Sequence, residues 1–251
     1  TDIFVARAAK PAADTLRFDP TPGLFGFATV ARGGFVGVAD NRRALAMALD
    51  RQRIADAFGA GWRPAASLLP AGLVDRARPA TPDWSDTPLA MRRTLARETI
   101  ATWLEAQGEP PVVRVAMPGG PGARLLFALV AADWRAIGVT AVRADPGEAA
   151  DLILLDEVAP GDSAAWYLRH FECVRSIACS GTADAALTAA RDMVDVAERA
   201  RLLGDADARL AEITAFIPVG QPLRWSLVSR RLTAWSDNAR GAHPLDQLRA
   251  R

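Results

Sequence analysis

Apolar residues recur at helical spacing between residues 41 and 58, where Leu45, Leu49 and Ile54 join Ala44, Ala48, Ala57 and Phe58 in one stripe. Asp40 or Asn41 can cap such a helix, because a short polar side chain accepts from a free first-turn N–H. Arg42, Arg43, Asp50, Arg51 and Arg53 fall largely on the opposite side, and Gly59, Gly61 and Pro64 stop the pattern. Residues 88–106 carry Leu89, Ala96, Ile100, Trp103 and Leu104 and predict a second helix, ended by Gly108. Residues 112–117 form a short β-branched strand, 123–137 a helix with Leu126, Val130, Trp134 and Ile137 on one side, and 139–142 another strand. Strand, helix, glycine, strand is a βαβ unit and favours parallel pairing.

Residues 151–155, Asp-Leu-Ile-Leu-Leu, are almost continuously apolar, as in a strand central to a sheet. A short helix over 162–171 follows, then helices over 182–194 and 196–215. Asp195 and Glu198 are spaced as a capping box at the start of the last. Residues 216–219 and 223–228 read as strands, as do 15–18 and 25–30 near the start. Residues 62–86, rich in Pro, Ala and Gly, show no period and read as a long loop. The order of elements predicts an α/β fold with a mixed sheet flanked by helices.

Composition narrows the function. The chain has 251 residues and a net charge of +1. That excludes the dense basic face a nucleic-acid binder needs. No run of about 18 apolar residues predicts a membrane span. Cys173 and Cys179 are the only cysteines, and with two distant histidines, His170 and His243, they make a poor zinc set. No metal and no cofactor is expected. The two cysteines either close a small disulfide loop or stay as thiols, depending on compartment.

The residues Asp40-Asn41-Arg42-Arg43-Ala44-Leu45 and Ala48-Leu49-Asp50-Arg51 resemble the "D-x-R-x-A-L-x-x-A-I-D-R" helix of the peptide/nickel family of ABC-importer solute-binding proteins. Ala132-Asp133-Trp134-Arg135-Ala136-Ile137-Gly138-Val139 resembles that family's "L-x-x-I-G-I" helix end, with Trp134 in place of leucine. Ser67-Leu68-Leu69-Pro70-Ala71-Gly72 is similar to its "P-L-P-P-G" loop, and 195–220 to its acidic helical pair followed by "P-V-I-P-L". The resemblance implies the second lobe of a periplasmic-binding-protein-like clamshell. On it, residues 1–35 are a crossover and a remnant of the first lobe, 36–222 the second lobe, and 223–251 the returning crossover and a tail. The two crossovers, 25–30 and 223–228, are then expected side by side. The implied role is capture of a small solute, peptides among them, in the periplasm without chemical change. The implied partners are ABC permease subunits and an N-terminal lobe.

Candidate chemistry lies past the 151–155 strand, because ligands of open α/β sheets collect beyond strand ends. Asp156, Glu157 and Asp162 cluster there, and a carboxylate can pair with a ligand amine. The family's "A-D-Y-x-D-P" run, whose first aspartate meets a peptide amino terminus, is broken here to Asp156-Glu157-Val158-Ala159-Pro160-Gly161-Asp162. Trp166, Tyr167 and Trp62 are candidates to stack on a solute, or else core aromatics. Gly119-Gly120-Pro121-Gly122 could bind an anion or form a plain turn. Two alternative functions follow from other features. Gly161-Asp162-Ser163 follows a buried strand as the nucleophile block of one hydrolase class does, and would require a base for Ser163. The lobe could also serve as a stand-alone protein-interaction domain.

Overall fold

In the computed structural model, which describes residues 15–59 and 61–250, a five-stranded mixed sheet has the order β4-β3-β5-β2-β6. Residues 1–14 of the expected first-lobe remnant, and Arg251 of the tail, lie outside the described residues. The strands are β2 (Gly23–Thr29), β3 (Val112–Ala116), β4 (Thr140–Ala144), β5 (Leu152–Val158) and β6 (Phe216–Gly220). β3 runs parallel to β4 and β5, whereas β2 runs antiparallel to both β5 and β6. β5 holds the central place its apolar run predicts. Alternation along β2 splits the core, since successive side chains point to opposite faces. Phe25 and Phe27 enter one cluster with Leu45, Ile54, Val115 and Trp134, while Leu24 and Ala28 enter the other with Phe171, Leu203 and Phe216.

Helices α1 (Ala39–Ala48), α2 (Arg51–Phe58), α3 (Leu89–Gln107) and α4 (Pro121–Arg135) supply the first cluster. Helices α5 (Ala164–Arg169), α6 (Gly181–Asp192) and α7 (Val196–Glu212) supply the second. The βαβ unit forms as expected, with Val112 opposite Thr140. The glycine run before α4 is a turn: Pro121 opens the helix after Gly120, whose φ of 110° suits glycine.

The stretch at 41–58 is two helices rather than one. Leu49 is extended, and the Asp50 side chain starts α2 by accepting from the Arg53 amide at 3.0 Å. Neither Asp40 nor Asn41 caps α1; Val38 holds that position, and Asn41 donates to the Phe35 carbonyl at 2.9 Å. Two arginines expected on the polar side are buried, Arg42 at 5% exposure and Arg51 at 7%. Arg42 donates to the carbonyls of Thr214 and Ile213 beyond α7, and to Val36 and Gly37. Arg51 donates to the carbonyls of Ala46, Ala65 and Pro218. A guanidinium offers five donors, so it can leave the solvent side of a helix wherever free carbonyls converge.

The capping box at α7 forms only in its first half. Asp195 accepts from the Glu198 amide at 2.8 Å, but the Glu198 carboxylate turns to Arg201. The long loop is seated on the edge strand and on α7. Pro64 bridges to Gly220, Ala65 donates to Val219, and the Ala80 amide donates to Asp207 at 2.7 Å.

The side-by-side pairing of 25–30 with 223–228 does not occur. β2 lies between β5 and β6 in the main sheet. It is β1 (Leu16–Pro20) that pairs with β7 (Leu223–Leu227), antiparallel, as a separate two-stranded ribbon. The reason is continuity of two antiparallel strands. β1 and β2 run past β6 and β7, and the pairing changes sheet where the Thr21 amide donates to the Pro222 carbonyl at 3.0 Å. The tail then folds back on this ribbon, closed by β8 (Leu232–Thr233) and β9 (Arg249–Ala250).

Two buried carboxylates generate predictions. Asp133 on α4 is 2% exposed and accepts from the Asp50 amide and from Arg53 and Arg93, so it joins α2, α3 and α4. Replacing Asp133 by alanine removes the carboxylate that these two guanidinium groups and the Asp50 amide share, and urea unfolding should show a loss of about 3 kcal/mol. Asp207 is fully buried, with one oxygen on Ala80 and the other without a partner among the described residues. Burial pushes its pKa up to about 7, the Ala80 hydrogen bond opposing. The unfolded chain gives up this proton near its ordinary value, while the folded chain keeps it to about pH 7. This group's contribution is therefore complete at low pH, is lost as pH rises from about 4 to 7, and is flat above that. Asp207→Asn should raise stability at pH 8 by up to roughly 4 kcal/mol and leave it little changed below pH 4, measured by urea melts at both pH values.

Candidate functional site

The carboxyl end of β5, the β1–β7 ribbon and the tail meet at one rim of the sheet. Alternation along β5 decides which candidates share a side. Asp156 stands opposite Phe25 and Glu157 opposite Leu24, and these two partners belong to different clusters. Trp62 stacks on Phe58 with ring centroids 4.6 Å apart and meets Phe25 edge-on, so it shares the Asp156 side. Asp162, Trp166 and Tyr167 follow β5 and sit with α5 on the other side. The structure thus divides the expected site between two faces of the sheet.

Each candidate carboxylate already has an internal partner. Arg224 on β7 donates to Asp156 at 2.7 Å through Nη1 and to its carbonyl through Nη2. His170 Nε2 and Glu157 lie 3.1 Å apart, and His170 Nδ1 faces the Trp166 carbonyl at 2.8 Å. Arg240 in the tail pairs with Asp162 at 2.8 Å. Asp19 on β1, 1% exposed, accepts from the Asn238 amide at 2.8 Å and bonds His243 Nε2 at 2.7 Å. Trp235 stacks on His243, and a Cβ built at Gly241 would meet the Arg224 side chain at 2.8 Å. The tail is therefore tied to the ribbon through Asp19 and Arg224, and to the body of the lobe through Arg240.

The expectation for Tyr167 is corrected. Its side chain is fully buried, with its ring edge-on to Trp166, so it is not a stacking surface for a solute. Its hydroxyl has no hydrogen-bond partner among the described residues. Burial pushes the phenol pKa up to about 12, with Arg240 opposing and Asp162 reinforcing. Trp166 is half-buried between Tyr167 and His170. Cys173 and Cys179 are joined, with Cα atoms 5.0 Å apart, well away from the acids in sequence.

Ser163 lacks the base that hydrolysis requires. Its hydroxyl donates to Asp75 at 3.1 Å, and Asp75 also takes the Ala164 amide at 2.7 Å. Asp75 is therefore the side-chain cap of α5, and the ring nitrogens of His170 and His243 are engaged elsewhere. This geometry gives the hydrolase reading no support. A cavity of about 550 Å³ lies where α1, the long loop, α7 and the start of β6 meet, lined in part by Arg43, Thr81, Trp84 and Glu212. None of the sequence-derived site residues lines it.

Sequence reasoning missed Arg224, Asp19 and the tail's role. Asp156 and Arg224 are 68 residues apart, and Asp19 and His243 are 224 apart, so no local spacing announces either pair.

No family model and no curated protein matches the sequence. Solved structures do match the fold. Haemophilus influenzae OppA in complex with RPPGFSPFR is 17% identical with a TM-score of 0.83, over 95% of this chain and 50% of that one. The Escherichia coli murein tripeptide binding protein MppA is 17% identical with a TM-score of 0.84, over 94% and 50%. Brucella suis NikA in complex with Fe(III)-EDTA is 16% identical with a TM-score of 0.73, over 94% and 52%. The chain spans about half the length of each. Its mixed sheet, flanking helices and ribbon therefore have the fold of one half of the peptide/nickel type of periplasmic binding protein.

Proposed function

We propose that this chain is the second lobe, with the crossing ribbon, of a two-lobed periplasmic protein that captures a small solute for an ABC importer and releases it unchanged. The observation that carries the reading is the ribbon. Among the described residues β1 and β7 pair only with each other, and an isolated two-stranded ribbon is marginal in water. Leu16, Phe18 and Trp225 on it are only half-buried. A further body beside the ribbon would cover them, as expected where two strands cross between lobes. The Thr21–Pro222 contact, where the pairing changes sheet, is then the hinge. On this reading the body of the lobe is about 23–222 and the ribbon with its tail belongs to the joint, a boundary earlier than the 36 suggested by the opening helix.

The fold neighbour OppA was solved with RPPGFSPFR, MppA is named for a murein tripeptide and NikA was solved with Fe(III)-EDTA, so solutes of several kinds fit this architecture. Among the described residues no helix is long and apolar enough to cross a membrane. Trp62 and Trp166, both half-buried at the rim, are the proposed stacking residues of this wall. The permease subunits are the proposed partners, and the periplasm the proposed compartment.

A good pocket encloses most of its ligand, and this rim is one open wall. Calorimetry on the chain alone should show no peptide binding tighter than about micromolar. The same chain joined to the first lobe of its own gene should bind a solute; sub-micromolar binding by the single lobe, or none by the joined protein, would overturn the reading. In the joined protein, Trp62→Ala should weaken solute binding by about tenfold without lowering the melting temperature of the ribbon contacts, read by calorimetry and hydrogen exchange.

A further inference from the structure

A second cavity, of about 540 Å³, lies between α5, α6, α7 and the long loop, and none of Asp156, Glu157, Asp162, Trp62, Trp166 or Tyr167 lines it. Its loop wall is fixed: the Val74 amide donates to the Asp162 carbonyl at 3.0 Å, and Asp75 caps α5. Three guanidinium groups line the cavity, Arg169 at the end of α5, Arg191 at the end of α6 and Arg199 near the start of α7. One carboxylate faces them, Asp75, and it takes the Ser163 hydroxyl and the Ala164 amide on one oxygen and the Ala77 amide, at 3.5 Å, on the other. The arginines differ in how far each is used. Among the described residues no hydrogen bond or ion pair engages the exposed Arg169 side chain. Arg191, 51% exposed in its side chain, stands 3.5 Å from Glu172. Arg199 is half-buried and held on the Met193 carbonyl through Nε at 2.9 Å and Nη2 at 2.6 Å, with Nη1 left over. Leu187 and Leu203 line the cavity as buried residues, whereas Val74 and Val196 line it at 71% and 53% exposure.

We infer that this cavity binds a small organic anion with more than one negative charge beside an apolar body, as in an aryl phosphate or an aryl dicarboxylate. The site is separate from solute capture at the rim and does not depend on that reading. The whole chain carries a net charge of only +1, so the excess of guanidinium groups here is local and attracts anions to this one place. A guanidinium edge offers parallel N–H donors that match phosphate and carboxylate oxygens, and such charge-assisted bonds are the strong ones. Arg199 is aligned in advance by Met193, which lowers the cost of ordering it around a ligand. The apolar body follows from Val74 and Val196: a bare ion leaves them in water, whereas an attached ring covers them. The volume falls in the range of small-molecule pockets, roughly 300–1,000 Å³.

The test titrates the full chain with phenyl phosphate, phthalate, inorganic phosphate and benzyl alcohol at fixed ionic strength, and follows amide NMR shifts around 163–169 and 187–203. Phenyl phosphate or phthalate should bind saturably, with a dissociation constant of about 1 mM or tighter, and the tighter of the two names the head group. Inorganic phosphate should bind about tenfold more weakly than the tighter aryl anion, and benzyl alcohol should give no saturable change. Arg169→Gln and Arg191→Gln should each weaken the aryl anion about tenfold. Arg169 has no internal partner among the described residues, so Arg169→Gln should do this at an unchanged melting temperature. Arg209→Gln removes the same charge about 15 Å further along α7 and should leave binding as it is. The inference fails if neither aryl anion binds saturably, or if Arg169→Gln and Arg191→Gln bind like the parent chain. It fails equally if Arg209→Gln weakens binding as much as they do, which marks a diffuse charge effect, or if inorganic phosphate binds as tightly as the aryl anions, which marks a bare ion site.

Discussion

The lobe is held together where carbonyl groups from separate segments converge on two buried guanidinium groups. Arg42 ties α1 to the carbonyls that α7 leaves unsatisfied at Ile213 and Thr214. Arg51 ties the start of α2 to β6 at Pro218 and to the long loop at Ala65. Among the described residues neither is paired with a carboxylate. Burial lowers the pKa of both, and for Arg51, with Arg92 adding to the effect and Asp133 opposing, the value falls to about 9. Both remain charged at neutral pH, so their bonds to carbonyls are charge-assisted and stronger than neutral ones. These two side chains fix β6 relative to α1 and α2, and with it everything that β6 leads into.

What β6 leads into is the ribbon. The chain runs from β6 through Gln221 and Pro222 into β7, beside the returning path from β1 into β2. A register shift sits at Phe25/Gly26, where β2 passes β6. Gly26 is required there: a Cβ would stand 2.3 Å from the Ile217 carbonyl oxygen. The main sheet is closely packed up to this point, and the ribbon leaves it across a short span that holds few buried apolar groups.

The tail is held to the rim by polar contacts. Its 3-10 turn Leu245–Gln247 buries no residue, and β9 is exposed, so apolar burial does little to hold it. Ion pairs and hydrogen bonds through Arg240, His243 and Asn238 hold it instead. Of the three candidate acids the tail engages only Asp162; Asp156 pairs with Arg224 on the ribbon and Glu157 with His170.

Periodicity alone determined the helices, the parallel βαβ unit, the central place of β5 and the α/β class, because those features depend on neighbours within a few residues. The wording around residues 40–51 and 132–139 pointed to the right half-clamshell for the same reason: it reports local packing of helices that the fold needs. The break at Leu49–Asp50, the burial of Arg42 and Arg51, and the ribbon of β1 with β7 were decided by tertiary structure. The break combines the local Asp50 cap with the distant Asp133 carboxylate, and the others depend on a carbonyl or strand supplied from far along the chain; a polar residue reads as solvent-facing until such a partner is in view. The rim shows the limit most plainly. Asp156, Glu157 and Asp162 are legible as a cluster, but whether a carboxylate is free or already paired depends on Arg224, His170 and Arg240, and only the folded chain brings them within hydrogen-bond reach.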